Sequence, residues 1–192
     1  MISNRIKKII STGRSGFTLI ETLFAILILT LALTGPLTIA STGLGAALIA
    51  KDQTTAFYLA QDAIEYVRFV RDSSCLASSP CSGSWLLTTG PLGSCISTTG
   101  SALCMVDSIQ NTVTSCVGGN CSPLNYDSSN HWYTYAVTGG SVTTSIFTRT
   151  VSIETPVSTN SGEAAMTVTV RWTDTGGISR SVTERENLFN WQ

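Results

Sequence analysis

Histidine is nearly missing from this chain, which has one, His131, inside the aromatic run HWYTY. A serine or cysteine nucleophile needs a base beside it, and a single histidine in an aromatic strand does not supply one. No G-x-x-x-x-G-K loop is present to cradle phosphates. No two cysteines have the C-x2-C spacing, which together with the single histidine argues against zinc. The chain is therefore not expected to be an enzyme, and it offers no catalytic, cofactor-binding or metal-binding residues.

Charge is the second scarcity. Lysine, arginine, aspartate and glutamate make up 12% of the residues, and from residue 17 to residue 50 the only ionisable side chain is Glu21. As a helix this stretch would span about 50 Å at ~1.5 Å per residue, more than the roughly 30 Å hydrocarbon core of a bilayer. Part of it must lie outside lipid. Ahead of it, Arg5, Lys7, Lys8 and Arg14 face no acidic residue, which by the positive-inside rule holds the amino end in the cytoplasm and puts the remainder across the membrane.

An ordinary secretory signal is cut after its apolar stretch, at a small-residue site. Here the sequence reads RSGFTLIETLFAILI, with Gly16 and Phe17 at the junction of the basic and apolar parts and Glu21 just inside the latter. This string resembles the amino-terminal signal of the type IV pilin and pseudopilin family. The resemblance implies that residues 1–16 are a leader, that a prepilin peptidase cuts after Gly16, and that the new amino terminus at Phe17 is methylated. It also implies that Glu21 pairs with the amino terminus of a neighbouring subunit during assembly. Glycine before the cut suits close backbone approach to a peptidase, because it has no Cβ. A carboxylate inside lipid costs about 2–3 kcal/mol even on lenient scales, so Glu21 asks for a partner; the rival reading is a solvated carboxylate at the membrane edge.

Removal of the leader leaves seven basic against twelve acidic side chains, a net charge of -5. Nothing there favours nucleic acid. Gly35 and Pro36 fall well inside the apolar run, where proline removes a backbone bond and predicts a bend or a locally melted turn. That kink reads either as a hinge or as a passive irregularity.

Residues 51–72 continue as an amphipathic helix, with Ala56, Ala60, Ala63, Ile64 and Val67 on one face. Its segment AFYLAQDAIEYVRFVRD is also similar to pilin-like proteins. Residues 73–130 read as a long irregular insertion holding all six cysteines, Cys75, Cys81, Cys95, Cys104, Cys116 and Cys121, with Trp85 as its anchor or as part of a contact patch. An even count on the exported side predicts disulfides rather than buried thiols. Of the possible pairings, Cys75 with Cys81 and Cys116 with Cys121 close the shortest loops.

Residues 131–192 alternate with a period of two, giving strands over 131–138, 146–154, 165–173 and 178–188. Met166, Val168, Val170 and Trp172 share one face of the third, and residues 174–177 make the hairpin turn into the fourth. The expected fold class is α+β: a long amino-terminal helix, half membrane and half amphipathic, packed on a carboxy-terminal antiparallel sheet with a disulfide-rich insertion.

The resemblance implies a structural subunit, of a minor kind, in a type IV pilus or a related filament. Its partners would be the prepilin peptidase, other subunits through helix packing, the inner-membrane assembly machinery and membrane lipid. It would sit in the cytoplasmic membrane as a single-pass protein, head outside, and in an extracellular filament after assembly. An adhesion or binding module carried on a filament and a type II secretion or competence pseudopilin are the alternatives.

Overall fold

The computed structural model describes residues 16–77, 84–137, 141–155 and 162–189. The chain divides between Ala47 and Leu48 into two compact units.

The first unit is the leading part of helix α1 (Leu19–Ala77). Every residue from 18 to 47 is exposed, and α1 is long and apolar enough to cross a membrane. Polar side chains here answer their own backbone: Thr22, Thr30, Thr34 and Ser41 donate to the carbonyls of Leu19, Leu27, Leu31 and Thr38 at 2.8–3.1 Å. A hydroxyl bonded in this way does not resist an apolar environment as a free one would. Helix continues through Gly35 and Pro36, so the locally melted turn expected there is not formed. Pro36 cannot donate, which leaves the carbonyl of Ala32 without its intrahelical amide; Thr34 and Thr38 bond elsewhere, to the carbonyls of Leu31 and Thr34 at 3.1 and 2.9 Å.

In the second unit α1 buries Ala56, Ala60, Ala63, Ile64 and Val67, together with Leu59, Tyr66 and Val70, against the sheet. Nine strands follow among the described residues: β1 (Ile96–Ser97), β2 (Cys104–Asp107), β3 (Thr112–Ser115), β4 (Asn125–Asp127), β5 (Trp132–Thr134), β6 (Val142–Thr144), β7 (Thr148–Glu154), β8 (Glu163–Thr173) and β9 (Ser179–Phe189). The main sheet runs β3-β2-β7-β8-β9, with β1 pairing in parallel to β7; a small sheet runs β5-β4-β6. The architecture is α+β, a long helix on antiparallel sheets.

On β8, Met166, Val168, Val170 and Trp172 are buried while the intervening residues are not, as the alternation requires. Its hairpin to β9 turns at residues 174–178, with Gly177 at φ 78°, a conformation open to glycine. Trp85 is fully buried in the core, so it anchors the insertion.

Several expected boundaries need correction. The helix ends at Ala77, not near residue 72; Ser74 Oγ donates to Val70 O at 2.8 Å and the serines extend the last turns. Residues 84–130 are not irregular throughout, because β2 and β3 form a hairpin on the main sheet and β4 pairs with β5 and β6. Strands of two to four residues are too short to show a period. Likewise residues 131–137 do not give a strand of the main sheet: β4 and β5 straddle the boundary at 130. His131 stands outside β5, at φ 61° in the turn.

Candidate functional site

The amino-terminal site is a helix start. Thr18 O accepts from the N–H of Glu21 and of Thr22 at 3.1 and 3.2 Å, and Thr18 Oγ1 accepts from Glu21 N at 3.3 Å. Thr18 is thus the cap, and Glu21 occupies the third helical position, the T-x-x-E spacing of a capping box. Sequence reasoning missed this local role, although the spacing was there to be read. A carboxylate in the first turn gains about 0.3–1 kcal/mol from the helix dipole. That is less than the ~2–3 kcal/mol cost of placing it in lipid, so capping does not by itself account for Glu21.

Gly16 and Phe17 precede the helix, and Phe17 is 79% exposed. A Cβ built on Gly16 meets nothing within 4 Å. The fold therefore makes no demand for glycine at this position. The same holds at Gly35, Gly43 and Gly45, where glycine costs a helix roughly 0.5–1 kcal/mol relative to alanine.

The head is held to α1 by an ion pair that the sequence did not announce. Arg149, on β7, is 1% exposed; its Nη1 donates to Leu59 O at 2.8 Å and to Asp62 Oδ2 at 2.7 Å, and its Nη2 donates to Val106 O. One guanidinium thereby joins helix, β7 and β2. Ser108 Oγ donates to Asp62 Oδ1 at 2.8 Å, adding the β2–β3 loop. Farther along α1, Arg68 grips Glu186 of β9 through Nε and Nη2 at 2.7–2.9 Å, and that carboxylate raises the arginine's pKa.

Three aspartates, two that end β2 and β4 and one just after β8, organise the loops that follow. Asp107 Oδ1 accepts from the N–H of Ile109 and Gln110 at 3.0 and 3.1 Å. Asp127 Oδ1 accepts from Ser129 N at 2.9 Å, and its Oδ2 from Asn130 Nδ2 at 2.8 Å. Each loop closes on a residue at positive φ, Asn111 at 53° and His131 at 61°. Asp107-Ser108 and Asp127-Ser128 thus begin two copies of one hairpin design, D-S-x-x-N/H. Asp174 Oδ1 accepts from Gly176 and Ile178 N–H at 2.9 Å, and its Oδ2 from Arg180 Nε at 2.7 Å. These backbone bonds and Arg180 hold the Asp174 carboxyl below the usual range; Asn130, then Ser129, do the same for Asp127. His131 Nδ1 lies 3.0 Å from Tyr126 Oη, a surface pair in this loop.

Cys116 and Cys121 are bonded, as their spacing suggested, and Cys95 is bonded to Cys104. The first bridge clamps an exposed turn through Gly118 and Gly119; the second is buried in the core. The proposed Cys75–Cys81 pair lies outside the described residues.

No protein-family model matches the chain, and no curated protein or solved structure matches it. Function is therefore argued from its own residues.

Proposed function

We propose that this chain is a prepilin-type subunit that is cleaved after Gly16, anchored in the cytoplasmic membrane by the leading part of α1, and built into a filament through that helix. The carrying observation is the junction itself: an unburied Gly16 that the fold does not require, an exposed Phe17, and Glu21 in the first helical turn of an otherwise uncharged apolar run. The net cost of Glu21 in lipid exceeds what capping returns, which is the physical case for a partner in a neighbouring subunit. Exposure of every large apolar side chain up to Leu44 supports lipid and sister helices as the surroundings of this segment.

The head outside the cytoplasm is consistent with the two disulfides among the described residues and with the basic residues ahead of the span. Prepilin peptidase, other subunits and the assembly machinery of the inner membrane would be the partners. A pilus and a secretion or competence pseudopilus fit this design equally. The second reading, a filament-borne binding module, draws on a groove of about 270 Å³ lined by Tyr58, Trp132 and Tyr133.

The test is Glu21→Val, comparing protein in sheared filaments with protein in membranes. The variant is expected to be cleaved and inserted as well as wild type but left out of filaments. A cleaved, stable variant incorporated at the wild-type ratio would remove Glu21 from any assembly role.

A further inference from the structure

Strand β9 ends the main sheet, and its outer edge pairs with no other strand among the described residues. It is long, with eleven residues in unbroken antiparallel register on β8, and it contains neither proline nor a bulge. In such a ladder roughly half of the strand's N–H and C=O groups point away from the sheet. Proteins usually shorten, bend or cover an edge of this kind.

Beside that edge lies a groove of about 400 Å³, walled by Ala50, Gln53, Thr54 and Phe57 of α1 on one side and by Val182 and Glu184 of β9 on the other. Helix and edge strand flanking one groove is the geometry in which an added strand gains main-chain bonds while its alternate side chains enter the groove. The helix-facing side chains of β9 discriminate among such strands. Arg180 is bound by Asp174, and Glu186 by Arg68. Val182 is apolar, and Glu184 makes no ion pair or hydrogen bond among the described residues. No basic side chain lines the groove.

We propose that the β9 edge is an acceptor for an extended segment of another polypeptide, one that alternates β-branched residues and places a lysine or arginine opposite Glu184. A second copy of β9 is a poor occupant. Its only helix-facing cation is Arg180, already held by Asp174 at 2.7 Å, and Arg185 lies on the other face of the strand, so a second copy has no free cation to set opposite Glu184. The proposal concerns the head alone and does not depend on filament assembly.

The probe is a synthetic peptide alternating threonine and valine around one central lysine, added to the full chain in detergent micelles. Affinity and hydrogen exchange of the β9 amides are the readouts. Protection of those amides is expected, with affinity at least tenfold weaker when the central lysine is replaced by glutamate. Glu184→Lys should invert that preference, an inversion a misfolded variant could not produce. Equal affinity for both peptides, or protection elsewhere than β9, would overturn the proposal. Protection of β9 without peptide, lost on dilution, would assign the edge to a second copy instead.

Discussion

Replacing Arg149 by methionine tests the account of how α1 is held to the head. The substitution keeps most of the aliphatic volume and removes every donor. Val106 O would then lose this buried donor, at a cost of about 1–3 kcal/mol, whereas Leu59 O, inside α1, keeps its intrahelical bond and loses only the added one. Asp62 is different: its side chain is 41% exposed, so water replaces much of what it loses. The expected destabilisation is therefore about 1–3 kcal/mol, set mainly by the carbonyl of Val106. For a chain of this size that lowers the melting temperature by roughly 2–12 °C. Thermal unfolding followed by near-ultraviolet circular dichroism, on full chain in micelles with disulfides intact, would measure it. Arg149→Lys should lie between, since one ammonium cannot reach carbonyls on both β2 and α1. A loss below about 1 kcal/mol for Arg149→Met would refute the reasoning.

Intact mass of membrane-extracted protein is expected to begin at Phe17; Gly16→Trp should retain the leader while folding normally, because nothing packs on Gly16. A terminus beyond the apolar run would point to ordinary signal peptidase. The depressed carboxyls of Asp127 and Asp174 contribute stability above their unfolded value near pH 4, and it is lost as pH falls through the lower folded values. Asp174→Asn should therefore flatten the acid limb of a stability-against-pH curve, and an unchanged slope would count against this linkage. Replacing both Cys95 and Cys104 by serine should destabilise more than replacing Cys116 and Cys121, because the first bridge closes the longer loop, nine residues against five, inside the core. Each loss should be on the order of 2–3 kcal/mol, read from denaturant midpoints.

Much of the architecture is written in local patterns. Period-two alternation over 165–173 is a property of consecutive residues, so one buried face of β8 followed from them directly. Small residues at helical spacing marked the face of α1 that meets the sheet, and all five named positions are buried. The glycine-rich turn before β9 and the short Cys116–Cys121 loop were equally local. At the amino terminus, the apolar run and the GFTLIE junction need no tertiary contact to be read.

The short strands were another matter. Pairing of β2 with β3 rests on hydrogen bonds across the loop and on the adjoining β7, none of which leaves a period in four residues. The repeated D-S-x-x-N/H pattern was a usable signal for both hairpins, because an aspartate that accepts from the next two or three amides stabilises such a turn. Arg149 shows where sequence alone stops. Its place among Phe147, Val151 and Ile153 marks an inward position, but its acceptors are 43, 87 and 90 residues away. The residues by themselves determined an apolar helical run, an amphipathic helix and an alternating sheet, since each depends on neighbours along the chain; only the tertiary structure decided which distant carbonyls take up a buried charge, because that depends on neighbours in space.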